Sequence, residues 1–283
     1  MDWLLDPFSF DFMRRALLGG SLAVVATSVI GTWVVVRGLS FIGDALAHGV
    51  LPGIAVAFLW GFDLRLGAFV SALVMAVIIG VVNRRVRLPE DTGIGLLFVG
   101  MLALGVVIIS RSGSYAGDLT SFLFGDVLGV ATGDLWVQAA ATVVVVLVAV
   151  ALHRPFLALA FDVETAATLG MRPRWAHLAM LGLVAVAIVS SFQTVGTLLV
   201  FGLLVAPPAT ASLLVKRVPA MMLTSVAVGI VGVVGGLLVS YHHDTAAGAT
   251  MAGTAVGLFF VVLAGRELVA AVRHRRLPRP AVG

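Results

Sequence analysis

Cysteine is absent from the 283-residue chain. That excludes disulfide staples and thiolate metal sites, so any metal must be met by oxygen or nitrogen. Charge is scarce: Asp, Glu, Lys and Arg make up 11% of the residues against 60% hydrophobic ones, and mean hydropathy is +1.13. No water-soluble domain of this size carries such a composition on its surface. Lysine occurs once, as Lys216 followed by Arg217, and there is no G-x-x-x-x-G-K-[ST] phosphate loop. A chain without that loop is not expected to hydrolyse nucleotide itself, so its energy must come from elsewhere. The absence of H-E-x-x-H and G-x-S-x-G motifs argues against a membrane-embedded hydrolase.

What is present is apolar length. Runs such as 143–152 and 181–189 are apolar on every face, which excludes the alternating pattern of a barrel strand. Roughly 20 apolar residues at 1.5 Å rise cross the hydrocarbon as a helix. Nine spans are expected, at 16–36, 41–60, 66–82, 93–110, 135–152, 176–192, 195–215, 220–240 and 248–268. The stretch 116–131 is too short and polar to cross, and reads as interfacial or re-entrant. The fold class is therefore all-α: a polytopic membrane helical bundle with short interfacial helices, one transmembrane domain over residues 1–283. Asp2, Asp6 and Asp11 precede the first span, where a cleaved signal would be basic. Alternation of nine spans puts 14 of the 18 basic residues on one side and leaves Arg14, Arg15, Arg65 and Arg111 on the other. The expected orientation is N-terminus outside, with the basic tail 266–283 cytoplasmic and in reach of anionic lipid. The excess positive charge is thus an orientation signal rather than a nucleic-acid footprint. Glycine pairs Gly49 and Gly53, Gly232 and Gly236, and Gly253 and Gly257 should let helices approach closely.

Charge inside a span costs roughly 3 kcal/mol or more and marks function by default. Gly43-Asp44-Ala45-Leu46-Ala47-His48-Gly49 places Asp44 and His48 four apart, on one face of the second span. Both belong to the ligand set of zinc, manganese and iron. Pro52 and Gly53 follow, and the proline removes the hydrogen bond to the His48 carbonyl, loosening the helix where a pathway needs an opening. Two copies about an axis would supply up to four ligands; the other reading is a buried Asp and His bonded to one another or to backbone. His242, His243 and Asp244 form a possible metal entrance at the outer mouth, or a solvated loop. Asp118 and Asp126, in the outer segment, are candidates for gate architecture or helix caps. On the inner side, Asp162 reads as a cap, Phe161, Ala166 and Leu169 recur at near-helical spacing, and Gly170 as a stop. Such a short amphipathic helix fits either a protein partner or the lipid surface.

As an ordered set these residues resemble the permeases of the manganese, zinc and iron ATP-binding-cassette importers, over about 14–263. The matching stretches include Arg37-Gly38-Leu39-Ser40 running into Gly43-Asp44 and His48 with Leu51-Pro52-Gly53, then Glu90-Asp91-Thr92-Gly93, Leu123-Phe124-Gly125-Asp126, Phe161-Asp162 with Ala166 and Gly170, Val195-Gly196-Thr197, and Asp244-Thr245 with Ala247-Gly248. The resemblance implies a multi-pass protein of the bacterial plasma membrane that works as two permease copies. Its partners would be two cytoplasmic ATPase subunits, through which alone ATP acts, and a separate extracytoplasmic capture protein. The cargo would be a divalent metal, Zn2+ or Mn2+ or else iron, with no permanently bound cofactor. It also implies that Asp44 and His48 form the metal pathway and that Phe161, Asp162, Glu164, Ala166 and Gly170 belong to the helix that fits the ATPase. Some zinc permeases have a histidine in the fourth span, where Phe98-Val99-Gly100-Met101 has none. Rival readings are an iron-chelate permease and a carrier or channel that needs no ATPase.

Overall fold

The structure is a computed structural model that describes residues 6–39, 41–85, 90–110, 129–161 and 173–276. A 3-10 turn, Asp6–Ser9, leads into α1 (Asp11–Val36), followed by α2 (Phe41–Gly49), α3 (Leu51–Trp60), α4 (Leu64–Arg85), α5 (Glu90–Ile109) and α6 (Thr132–Ala151). After these come α7 (His153–Phe161), α8 (Pro173–Val195), α9 (Thr197–Leu214), α10 (Val218–His243) and α11 (Ala247–Arg276). The described residues contain no strand, as backbone pairing inside hydrocarbon requires of a chain that does not form a barrel. Among the described residues eight spans, with α2 and α3 counted as one, are long and apolar enough to cross a bilayer. The ninth expected span is α9, whose apolar stretch Val200–Leu214 is shorter.

The hub is α1, which packs against α6, α8, α9 and α10. Its small side chains make this possible. A Cβ on Gly31 would fall onto the carbonyl oxygen of Leu204 in α9, a carbonyl that Pro208 leaves without its helical donor because proline has no N–H. Two threonines of the hub bond their own helix, Thr27 donating to the Ala23 carbonyl at 2.7 Å and Thr32 to the Ser28 carbonyl at 2.8 Å, while the buried Ser28 Oγ and Trp33 Nε1 have no hydrogen-bond partner among the described residues. From α6, Gln138 donates to Gly19 O at 3.0 Å and Thr142 to Leu22 O at 3.2 Å, so the polar side chains of that span serve as ties to α1.

Two of the three glycine pairs act as expected. Gly53 abuts the Gly67 backbone of α4, and Gly49 abuts Met75; Gly232 and Gly236 seat Ala255 and Met251 of α11. Gly253 and Gly257 do not: a Cβ on either meets nothing within 4 Å. Because α11 offers its Gly232 and Gly236 partners through Met251 and Ala255, Gly253 and Gly257 lie on the other side of the helix. The outward sides of α6 and α11 expose Leu147, Val150, Val261 and Leu268, as helices surrounded by hydrocarbon do. Exposed Trp60 and Trp136 mark one end of the bundle and exposed Trp175 the other, the positions where indoles anchor at an interface.

Candidate metal pathway

The second span is cut in two. Helix α2 ends at Gly49 and α3 begins at Leu51 with Pro52 in its first turn. Sequence placed the loosening at Pro52 and Gly53, and the interruption falls at Val50, just before them. Two neighbouring helices meet the chain at this interruption. Ser71 of α4 donates its hydroxyl to the Gly49 carbonyl at 2.6 Å, and Gly105 of α5 brings its backbone so near that a Cβ there would lie 2.9 Å from Leu51 Cβ.

Directly before the cut stand the two candidate ligands. In α2, Ile42, Gly43, Ala45, Leu46, Ala47 and Gly49 are buried, whereas Phe41 is exposed and Asp44 and His48 on the same side are partly covered. The Asp44 side chain is 26% exposed and that of His48 12%. Nδ1 of His48 lies 3.2 Å from Asp44 Oδ1 and 3.0 Å from the Asp44 carbonyl oxygen. A carbonyl and a carboxylate oxygen both accept, so in the neutral imidazole Nδ1 carries the hydrogen and Nε2 keeps its lone pair. That is the tautomer in which a carboxylate orients a metal-binding imidazole. The Phe98 ring of α5 stands edge-on to the imidazole, with centroids 4.9 Å apart and planes at 86°. Among the described residues no three His, Cys, Asp or Glu side chains converge, so the pair is at most part of a coordination shell.

The comparisons with known proteins bear on this geometry. The model of the ABC 3 transport family matches residues 9–266. The chain belongs to that family. It is 35% identical to the manganese transport system membrane protein MntC of Halalkalibacterium halodurans, over 89% of this chain and 86% of that one. It is 34% identical to the chelated iron transport system membrane protein YfeD of Yersinia pestis, over 96% and 91%. Among solved structures, PsaBC from Streptococcus pneumoniae in complex with Fab superposes with a TM-score of 0.81 at 30% identity, covering 92% of this chain and 94% of that one. As an ABC 3 family chain with eight long apolar spans among the described residues it is a multi-pass membrane protein.

The other expected residues of this family member divide into two groups. His242 and His243 end α10 and Asp244 caps it in the left-handed region, φ 49°. They do not form one cluster: His242 turns back to bond the Leu238 carbonyl at 2.8 Å and stacks edge-on with Tyr241, while Asp244 lines a cleft of about 620 Å³ with Phe12, Met13 and Tyr241. Vicinal side chains on a helix point in different directions, which is why three neighbours in sequence do not converge. Asp118, Asp126, Asp162, Glu164, Ala166 and Gly170 lie outside the described residues, and Phe161 is the last residue of α7.

Among the contacts between distant segments that sequence reasoning missed, two join charged side chains to their partners. Arg65 and Asp134 pair across the starts of α4 and α6, and Arg37 reaches His177, 140 residues away. Neither has a periodic or motif signal that could have revealed it.

Proposed function

We propose that this chain is the permease subunit of an ATP-driven importer of divalent metal ions, with manganese, zinc or iron as cargo. The observation that carries the reading is the Asp44–His48 pair, with Nδ1 against the Asp44 oxygens and both side chains on the least covered side of an interrupted span. A carboxylate and an imidazole facing acyl chains would be costly. A second copy of the chain facing the first supplies the polar partner, and two pairs offer up to four oxygen and nitrogen ligands to an ion shedding its water. The naming of relatives for manganese and for chelated iron supports the cargo class.

The basic end of the bundle, which carries Arg37, Arg85, Arg154, Arg174, Lys216 and Arg217, is cytoplasmic in this reading, and the N-terminus is outside. ATPase subunits dock there on residues 161–170, and an extracytoplasmic capture protein docks at the other end, near His242, His243 and Asp244. Metal passes from the capture protein to Asp44 and His48 and is released inward when the two ends exchange access. The break at Val50 divides the second span, so α2 can tilt without dragging α3.

The test is uptake by proteoliposomes that contain the permease, its ATPase and its capture protein. Manganese or zinc should accumulate only with ATP, and Asp44→Ala and His48→Ala should abolish accumulation while the ATPase still copurifies. Undiminished uptake in both variants removes the site assignment, and uptake without any ATPase favours a facilitative carrier.

A further inference from the structure

The two helices that bracket residues 162–172 are both fastened to the last turn of α1. Trp33 and Arg37 stand four apart there, on one face. From α7, His153 and Phe156 lie edge-on to the Trp33 indole, with centroids at 5.2 and 5.5 Å. From α8, Nδ1 of His177 accepts a hydrogen bond from the Arg37 guanidinium at 2.8 Å, with Met180 Sδ at 3.9 Å from the same nitrogen. An arginine is always a donor, so His177 serves here as a neutral acceptor. Trp33 and Phe156 are almost wholly buried, which makes the α7 contact a packed one rather than a surface encounter.

Past Arg37 the backbone is held in a hydrogen-bonded turn. The Leu39 N–H bonds the Val34 carbonyl and the Gly38 N–H bonds the Val35 carbonyl, each at 3.0 Å, with Gly38 at φ 69°. These are the paired bonds of a Schellman cap, and the positive φ is why glycine stands there. Buried Leu39 in turn accepts the Ile42 N–H at 3.1 Å, which carries the same frame into α2. Asp44 follows in the first turn of that helix.

We infer that Trp33 and Arg37 are positioning residues that pass a displacement of α7 and α8 to the Asp44–His48 pair. The inference rests on the reading that the ATPase acts on residues 161–170, and it adds the route and the residues by which that action reaches the metal pair. Contact with both helices matters because a single contact lets a helix pivot, whereas two contacts one turn apart on α1 turn a joint movement of α7 and α8 into rotation of the α1–α2 corner.

The experiment uses the complete transporter in proteoliposomes and measures manganese uptake and ATP hydrolysis in the same preparation. His177→Leu removes the acceptor at similar volume, and His177→Gln keeps one. In His177→Leu and Arg37→Met, hydrolysis should stay within about twofold of wild type while uptake per ATP falls about tenfold, and His177→Gln should recover most of the ratio. Wild-type uptake per ATP in both variants would overturn the relay and leave the importer reading standing. So would a parallel fall of uptake and hydrolysis that His177→Gln does not repair, because that is the behaviour of a plain structural anchor. A wild-type complex that shows no ATP-dependent uptake would remove the importer reading and the relay with it.

Discussion

Nδ1 of His48 is held between two oxygens of a single residue, the Asp44 carboxylate at 3.2 Å and the Asp44 carbonyl at 3.0 Å. The helix thus fixes the ring twice, through spacing and through hydrogen bonding, and in the neutral imidazole leaves Nε2 its lone pair. In the proposed importer Asp44 therefore has two duties, orienting the imidazole and offsetting the charge of the ion.

Those duties separate under substitution. Asp44→Asn keeps an acceptor for Nδ1 but loses the charge, and should lower the initial rate of metal uptake by about 10- to 100-fold. Asp44→Ala loses both and should be the more severe. Equal rates for the two variants would mean that charge alone matters, and a wild-type rate in Asp44→Asn would mean that it does not matter at all.

The Phe98 ring stands edge-on to the imidazole of His48, with centroids 4.9 Å apart. Phe98→His should add a nitrogen donor and favour zinc over manganese, because imidazole suits zinc and carboxylate or water suits manganese. Competition between the two ions in the uptake assay checks this. An unchanged preference would show that the fourth span does not approach the bound ion.

How much of this could be read from the chain follows from range. The spans were legible because hydropathy is a local property, and the Asp44–His48 pair because four residues make one helical turn. Pro52 announced a break, and the interruption falls at Val50 because the bond that proline removes is the one to the His48 carbonyl, four residues back; the Ser71 and Gly105 that meet it there come from other helices and were not legible. Gly253 and Gly257 have the same spacing as Gly232 and Gly236 and still pack on nothing within 4 Å, because spacing says that a close approach is possible and not which helix arrives. Arg37 and His177 meet through the packing of α8 on α1, and no window of sequence contains both.

The Ser71 hydroxyl is the donor seen at the Gly49 carbonyl, 2.6 Å away where the second span is cut. Ser71→Ala should destabilise the protein by about 1–3 kcal/mol, the cost of a buried polar group left unmet. Thermal unfolding of the detergent-solubilised permease should show a lower midpoint. An unchanged midpoint would mean that water or a rearranged N–H takes over the carbonyl.

The Arg65–Asp134 pair joins the starts of α4 and α6, with side chains 37% and 24% exposed. Solvent screens a pair so placed, and its coupling in a double-mutant cycle should be about 1 kcal/mol or less. Thermal unfolding of Arg65→Ala, Asp134→Ala and the double variant measures it. A much larger coupling would make the pair a structural clamp.

The central claim is that an ion in transit meets Asp44 and His48 of two facing copies, and anomalous scattering from the metal-loaded transporter addresses it most directly. With zinc, the account predicts a peak about 2.0–2.2 Å from Nε2 of His48 or from an Asp44 oxygen, with the same residues of the second copy completing the shell. A peak at another group of residues, or Asp44–His48 pairs that face lipid far from any second copy, would contradict it.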